Sequence, residues 1–250
     1  MIIDKLKLEL IEQKKSKFKG NIYHYSQVNF AYNSNKIEGS RLTEDETEEI
    51  FSTNSFIPKN DDAIKLDDLI EMKNHFKLFD YCLDIIDEPL SKDIMIKMNV
   101  ILKSNTSNES NPRYNVGGFK TIPNKIGLIN VINTSNPEDV ESDIDELLSW
   151  YLNIKEVKVE DIIEFHYRFE RIHPFGDGNG RVGRMIMFKE CLKNNIMPFI
   201  VLDKDKPYYM RGLKNYKEDK MFLIDTIKHE QDLYKKMCEE LLNFELEEDN

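Results

Sequence analysis

The chain has 250 residues, 46 acidic against 35 basic, and its formal net charge of −11 argues against general nucleic-acid binding, which selects basic surfaces. Its 40% hydrophobic content suffices for a buried core, yet no stretch approaches the ~18 consecutive apolar residues of a membrane span. The N-terminus also lacks the charged, then apolar, then small-residue segments of a signal peptide. We therefore expect a cytoplasmic protein that binds neither nucleic acid nor membrane.

The first informative element is a predicted helix that ends near Gly39. Ser34 and Glu38 are four residues apart, so they share one face if the segment is helical, and glycine is a natural helix terminator. Thr43 and Glu46 then predict a capping box that begins the next helix. Spacing alone is typical of a surface helix end with a solvated glutamate.

Apolar stripes at helical spacing predict further helices along the chain. One covers residues 67–86, a second follows the break at Pro89 and covers 94–102, and a third covers about 140–151. The polar stretch 104–112 indicates a loop. The pattern as a whole predicts a helical bundle.

A β-prone segment interrupts this helical pattern at residues 117–129. Two short runs flank Pro123-Asn124-Lys125, which is typical of a hairpin that turns at these residues. From the residues alone, this would be a connecting hairpin.

The densest group of chemically informative residues is a stretch of twelve. It places a histidine, an aspartate, four glycines and two arginines in the order His173-Pro174-Phe175-Gly176-Asp177-Gly178-Asn179-Gly180-Arg181-Val182-Gly183-Arg184. Glycines free backbone N–H groups to converge on an anion. The flanking patterns predict one helix before this loop and another after it. Arginines in the first turn of a helix oppose its dipole unless an anion lies between them, which indicates a polyphosphate ligand.

Other glycine-rich loops fit this stretch poorly. A calcium loop would need Asp or Asn at Arg181 and Gly at Val182. A Walker A loop would continue with Gly-Lys-Ser/Thr, and a dinucleotide fingerprint would lie in a βαβ unit. A structural turn with an incidental histidine remains the plainest alternative.

The stretch resembles the Fic domain signature His-x-Phe-x-(Asp/Glu)-Gly-Asn-Gly-Arg-x-x-Arg, matched at every fixed position. The resemblance implies an all-α fold, a Fic-type helical bundle with one β-hairpin flap. It also implies transfer of AMP from ATP to a Ser, Thr or Tyr hydroxyl of a protein, with release of pyrophosphate. We expect three parts in one compact unit: an N-terminal helical region (1–90), the Fic core (91–200) and a C-terminal extension (201–250).

The resemblance also implies roles for individual residues. His173 would be the general base, and Asp177 would bind Mg²⁺ between the α- and β-phosphates. The backbone of Gly178, Asn179 and Gly180, together with the Asn179 side chain, would form an anion hole. Arg181 and Arg184 would clamp the β- and γ-phosphates. Glycine at Gly180 favours adenylyl transfer, since the related Doc toxins carry lysine there and transfer a phosphoryl group.

Three further sites follow from the same resemblance. Fic proteins carry an inhibitory motif (Ser/Thr)-x-x-x-Glu-(Gly/Asn), which Ser34, Glu38 and Gly39 match. If Glu38 pairs with Arg184, it occupies the group that should hold the γ-phosphate. The flap would dock the target chain through Gly118, Phe119, Lys120 and Thr121, although lysine stands where arginine is common. Tyr209 would pack on adenine, or would simply be a core residue.

The leading hypothesis is therefore an autoinhibited protein adenylyltransferase that uses ATP and Mg²⁺ and acts on a hydroxyl-bearing protein, itself included. Fic proteins of this kind also relieve inhibition by a change in their homo-oligomeric state. Two alternatives stay open: a de-AMPylase in which Glu38 orients water, and a non-enzymatic module that responds to nucleotide.

Overall fold

The structure is a computed structural model that describes residues 2–16, 19–58, 63–126 and 132–242. Its helices are α1 (Ile2–Ser16), α2 (Ile22–Ile37), α3 (Glu44–Thr53), α4 (Leu66–Asp84), α5 (Lys92–Lys103), α6 (Val140–Leu152), α7 (Val159–Ile172), α8 (Asn179–Lys193), α9 (Lys206–Asn215) and α10 (Met221–Leu242). A short 3₁₀ turn, Asp203–Asp205, precedes α9. The expectation of a helical fold is confirmed.

Helix α8 lies at the centre of the molecule. All of its residues from Asn179 to Leu192 are buried except Gly180, and it packs against α2, α4, α5 and α7. The main apolar core runs through these helices and extends from Ile3 in α1 to Cys238 in α10. The residues at the start of α8 are therefore held by the packing of the whole bundle.

The end of α2 has the predicted form. Gly39 adopts φ +95°, a left-handed conformation that glycine accepts at little cost, and it stops the helix. The chain then enters α3 through the predicted capping box, in which Thr43 Oγ1 accepts from Glu46 N at 3.2 Å and Glu46 Oε2 accepts from Thr43 N at 2.9 Å. Helix α2 thus ends at a defined place beside α8.

The prediction of a β-hairpin flap that turns at residues 123–125 is wrong. In the part of the chain that the structure describes, the strands are limited to a two-residue antiparallel pairing of β1 (Lys125–Ile126) with β2 (Ile132–Asn133), and the predicted first strand is irregular. Lys120 N donates to Pro174 O at 2.8 Å and Asn124 Nδ2 donates to Phe175 O at 2.9 Å. Lys120 and Asn124 therefore bond to the loop before α8, and the strand pairing begins only at Lys125. Residues 127–129 of the predicted hairpin lie outside the described residues.

Two further sequence expectations concern the ends of the chain and the membrane. Within the described ranges, no helix is both long and apolar enough to cross a bilayer. Residues 243–250 of the expected C-terminal extension lie outside the described residues. The part of that extension that is described, α9 and α10, packs on α2 and α7.

Candidate active site

His173 lies at the junction between α7 and the glycine-rich loop. It adopts φ +53°, and its N–H donates to Phe169 O at 2.8 Å, so it ends the helix in the left-handed conformation. A non-glycine residue adopts this conformation only at some cost, which the surrounding packing must offset. The result is an imidazole whose side chain is 20% exposed and faces a cavity.

The loop after His173 is fastened from inside. Phe175 is buried, and the Asn179 side chain spans its backbone: Oδ1 accepts from Phe175 N at 2.8 Å, and Nδ2 donates to Phe175 O at 2.9 Å. Gly176 lies so close to the chain at Tyr114 that a Cβ atom there would be 2.6 Å from Tyr114 O. The Asn179 amide is therefore engaged in holding the loop, while its expected place in an anion hole stays a prediction.

The loop turns into α8 at Gly178, whose φ of +85° suits glycine. The first N–H groups of a helix have no intrahelical partner and carry the positive end of its dipole. Gly178 N itself donates to Asp177 Oδ1 at 2.7 Å. The start of α8 thus presents backbone donors next to a carboxylate.

Arg184 contacts the end of α2. Its Nε donates to Ser34 Oγ at 3.0 Å, and its terminal nitrogen donates to Ser34 O at 2.9 Å and Glu38 Oε1 at 2.8 Å. We call these bonds the α2 contact. Arg184 is buried, whereas the Glu38 side chain is 37% exposed. Burial alone would lower the pKa of Arg184, but Glu38, together with Tyr209 and Glu170, more than offsets this and the pKa is raised. Ser34 and Glu38 thus both bond to Arg184, while the inhibitory role that the resemblance implies for them stays a prediction.

The Glu38 carboxylate also lies directly over the start of α8. A Cβ atom placed on Gly180 would be 2.3 Å from Glu38 Oε1 and 2.9 Å from an Arg184 nitrogen. Glycine at this position is therefore required for the carboxylate to come this close. One negative group already occupies the space between Arg184 and the first turn of the helix.

Arg181 belongs to a second ionic group, which we call the Glu71 cluster: Glu71, Lys103, Asp177 and Arg181. Glu71, on α4, accepts bonds from both Arg181 and Lys103. Lys103 Nζ in turn donates to Asp177 Oδ2 at 2.5 Å, and Arg181 lies 3.8 Å from Asp177 Oδ1. Two carboxylates and two cations therefore alternate in a largely enclosed space.

Sequence reasoning missed two members of this cluster, Glu71 and Lys103. Both lie in ordinary amphipathic helices, α4 and α5, and local spacing gives no signal that they meet. Asn108, which donates to Asp177 Oδ2 at 2.7 Å, lies in a loop that was predicted only as polar. Asn35 could have been found, because it lies within the motif that contains Ser34, and it accepts from Arg181 at 3.2 Å.

Comparison with known proteins finds a family match over the segment that contains residues 173–184 of this site. Residues 89–191 match the family model described as "Fic/DOC family". These residues belong to the Fic/DOC family. The matched segment runs from just before α5 to near the end of α8, and so contains the whole stretch from His173 to Arg184.

Two curated relatives match part of this chain. A probable protein adenylyltransferase of Aquifex aeolicus is 32% identical over 92 residues, 36% of this chain and 28% of the relative. The protein adenylyltransferase Fic of Nematostella vectensis is 35% identical over 81 residues, 31% of this chain and 19% of the relative. The matches thus span less than a third of either relative's length.

The fold as a whole resembles solved structures. A Fic domain containing signaling protein of Bacteroides thetaiotaomicron superposes with a TM-score of 0.76 at 19% identity, and the match covers 100% of both chains. At this identity the similarity concerns the fold alone. It extends beyond the Fic/DOC domain to the N-terminal and C-terminal helices.

Beside the Fic/DOC motif lies a cavity of about 300 Å³. Its lining combines the motif with the end of α2, the last turns of α7 and one side of α9: Ile37, Glu38, Tyr167, Glu170, Arg171, His173, Gly180, Arg184, Lys206, Tyr209, Met210, Leu213 and Lys214. Tyr209 is almost fully buried, and its hydroxyl lies 2.6 Å from His166 Nε2. It is thus a core residue that also lines the cavity, and its contact with adenine stays a prediction.

The expected target-docking residues lie away from this cavity. Lys120 is 2% exposed, and its ammonium bonds to Asn124, Thr134 and the Ile172 carbonyl. Burial lowers its pKa to about 8. Phe119 packs on Phe175 at a ring distance of 5.8 Å. Among the residues that the structure describes, neither Gly118, Phe119, Lys120 nor Thr121 lines the cavity, and their docking role stays a prediction.

Asp177 is the residue expected to bind a metal. Among the described residues, no three His, Cys, Asp or Glu side chains are grouped to hold a metal ion. Burial by itself would raise the pKa of Asp177, but Arg181 and Lys103 more than offset this, so the pKa is lowered and the group is ionised. Mg²⁺ is commonly held by one or two carboxylates together with substrate phosphates. A single partly exposed carboxylate thus fits a Mg²⁺ that arrives with a nucleotide.

Proposed function

We propose that this chain transfers AMP from ATP to a hydroxyl group of a protein, and that the α2 contact holds it in an inhibited state. The observation that carries the proposal is the position of the Glu38 carboxylate, bonded to Arg184 at 2.8 Å and directly over Gly180. Similarity to proteins named as adenylyltransferases supports the chemistry. The inhibition and the acceptor are our inference for this chain.

In this proposal His173 takes the proton of the acceptor hydroxyl, a role that suits an imidazole at neutral pH. The hydroxyl oxygen then bonds to the α-phosphorus while the bond between that phosphorus and the bridging oxygen to the β-phosphate breaks. Pyrophosphate leaves with the bonding electrons. Donors at the start of α8 and the guanidinium of Arg181 stabilise the charge that develops on the phosphates.

Asp177 would hold Mg²⁺, which would neutralise phosphate charge when bound with ATP. One oxygen of this carboxylate, Oδ2, already accepts hydrogen bonds from Lys103 at 2.5 Å and Asn108 at 2.7 Å. These two side chains therefore position Asp177 and compete for it. Oδ2 would have to release one of these donors to bind a metal ion, whereas Oδ1, which accepts from Gly178 N, keeps a lone pair for it.

Inhibition follows from competition for one arginine. A γ-phosphate needs the Arg184 guanidinium, and Glu38 already accepts a charge-assisted hydrogen bond from it. Such a bond can oppose productive binding by about 1 to 3 kcal/mol, or about ten- to a hundredfold in rate. ATP that cannot use Arg184 would place its α-phosphate out of line with the acceptor.

The test is intact-mass spectrometry of the wild type, Glu38→Gly and Glu38→Gly/His173→Ala after incubation with ATP and Mg²⁺. We expect a mass gain of AMP in the single mutant that is weak in the wild type and absent in the double mutant. Nothing in the described geometry favours the two alternative functions. Loss of AMP release from a labelled protein in Glu38→Gly, without new transfer, would instead support de-AMPylation.

External targets need a second arm of this experiment. The same three proteins are incubated in a cell lysate with ATP labelled on the α- or the γ-phosphate. Transfer of the α-label that depends on Glu38→Gly and His173 supports the proposal. Transfer of the γ-label would indicate phosphoryl transfer, and no transfer of either label would contradict the proposed activity.

A further inference from the structure

Three polar side chains lie in a row along one side of α7, and the last of them, the candidate general base, follows the final residue of the helix. His166, Glu170 and His173 are spaced by four and three residues, so they follow one another along one side of the helix. Tyr209 of α9 continues the row, with its hydroxyl 2.6 Å from His166 Nε2. The proposed function uses only the last member, His173.

Within the described part of the chain, several polar atoms of these side chains lack a hydrogen-bond partner where the side chains face one another. His173 Nδ1 lies 3.7 Å from Glu170 Oε2, beyond hydrogen-bond distance. Three buried atoms, His173 Nδ1, His166 Nδ1 and Glu170 Oε1, have no hydrogen-bond partner among the residues that the structure describes. Buried polar atoms are nearly always bonded, so unpaired donors and acceptors on neighbouring side chains call for an explanation.

Gly183 shows how close this row comes to α8. A Cβ atom placed there would lie 2.7 Å from His166 Nδ1 and 3.2 Å from Glu170 Oε1. Both atoms therefore lie against the same point of the α8 backbone. A movement of the Glu170 carboxylate by less than about 1 Å would bring Oε2 within hydrogen-bond distance of His173 Nδ1, while Oε1 faces the same point of α8 as His166 Nδ1.

The charge states are consistent with such an arrangement. Burial by itself would raise the pKa of Glu170, but His173, His166 and Arg184 more than offset it, so the pKa is lowered and Glu170 is ionised. Burial lowers the pKa of His166 to about 4, so this imidazole is neutral near pH 7. A neutral imidazole that donates through Nδ1 must accept at Nε2, where the Tyr209 hydroxyl supplies a proton.

We propose that Glu170 is a positioning residue that accepts a hydrogen bond from Nδ1–H of His173 and so leaves Nε2 free to take a proton. His166 and Tyr209 hold the carboxylate from the other side. This inference rests on the proposed function for the identity of the proton donor, the acceptor hydroxyl, but the tautomer itself does not depend on it. A base oriented by a third group is the general logic of catalytic triads.

The tautomer can be measured directly by ¹⁵N NMR of histidine-labelled protein. The chain contains five histidines, so His173→Ala serves to identify the His173 signals. We expect neutral His173 to carry its proton on Nδ1 in the wild type and in Glu170→Gln, since the amide oxygen still accepts. In Glu170→Ala we expect the signals to move towards the Nε2–H form. An unchanged tautomer in Glu170→Ala would overturn the proposal.

Transfer rates supply a second readout, in the Glu38→Gly background. Misplacement of a catalytic group commonly costs up to about 100-fold, so Glu170→Ala should slow AMP transfer about 10- to 100-fold with little change in KM for ATP. Glu170→Gln, which is isosteric, should recover part of the rate. A rate unaffected by Glu170→Ala would overturn the proposal, as would equal losses in the two variants.

The matched control is Glu164→Gln on the same helix. Glu164 bonds to Lys220 at 2.7 Å on the outer side of α7, so its loss should change neither the tautomer nor the rate. If Glu38→Gly transfers no AMP at all, the proposed activity fails while the NMR result still decides the tautomer. The two failures are thus distinguishable.

Discussion

Arg181 and Arg184 lie one turn apart on α8, and each bonds to a carboxylate from another helix. The Glu71 side chain is 14% exposed and serves two cations, whereas that of Glu38 is 37% exposed and serves one. Glu71 lies in the middle of α4, while Glu38 follows the last residue of α2. The comparison distinguishes Glu71, which the fold requires, from Glu38, which can move away from its arginine. The reason is that a helix end moves more readily than an enclosed ionic cluster.

The largest expected effect is on stability. Glu71→Ala leaves Lys103 and Arg181 buried with only Asp177 to offset their charge, and loss of one partner of a buried pair costs about 3 to 5 kcal/mol. Glu38→Ala should cost less, about 1 to 2 kcal/mol, since the Glu38 side chain is partly in water and the buried Arg184 keeps its two bonds to Ser34. Urea denaturation measures both. Asp68→Ala on α4 is the control, and equal losses for Glu71 and Glu38 would remove the distinction.

The comparison assumes that burial disfavours the charge of a carboxylate unless a cation offsets it. Glu230 tests this assumption. Burial raises the pKa of Glu230 to about 7, and Leu202 N donates to it at 3.0 Å. Because the folded pKa exceeds the unfolded one, Glu230 stabilises the fold below about pH 4.5, and this contribution is lost as pH rises to about 7. Above that pH Glu230→Gln should be more stable than the wild type by up to about 3 kcal/mol. Parallel pH–stability curves for the two proteins would contradict this.

Activity should separate the two carboxylates in direction. Glu38→Gly should raise AMP transfer about ten- to a hundredfold, because Arg184 becomes free for phosphate. Glu71→Gln, made in that background to preserve volume, should lower transfer about tenfold, because Arg181 loses its placement. Radiolabel transfer from α-labelled ATP measures both. An increase in Glu71→Gln would show that both carboxylates inhibit.

The smallest expected effect comes from Ser34. Its hydroxyl accepts from Arg184 at 3.0 Å, but its carbonyl oxygen accepts a second bond that Ser34→Ala keeps. A single such bond contributes about 1 kcal/mol, so Ser34→Ala should raise transfer only a fewfold. Ser40→Ala, one turn beyond the helix end, is the control. A gain as large as that of Glu38→Gly would mean that the hydroxyl, and not the carboxylate, is the principal inhibitory group.

Local patterns predicted most of the helical fold but not the segment at 117–126. The helix ends at Gly39 and the capping box at Thr43 depend on neighbours in sequence, so they are readable from it. The hairpin prediction failed because Lys120 and Asn124 found partners in Ile172 and Phe175, which lie about fifty residues away. Such long-range bonds override short-range β propensity.

The sequence by itself determined the contiguous motif from His173 to Arg184 and its resemblance to Fic domains, because residues in one loop and one helix turn keep fixed mutual positions. It also supplied Ser34 and Glu38 as candidates, through their match to the inhibitory motif of Fic proteins. Only the tertiary structure decided that Glu71 and Lys103 join the motif, and that Glu170 stands between two imidazoles with an unpaired oxygen. Glu71 lies 110 residues from Arg181 in sequence, and no local rule relates such positions until the helices pack.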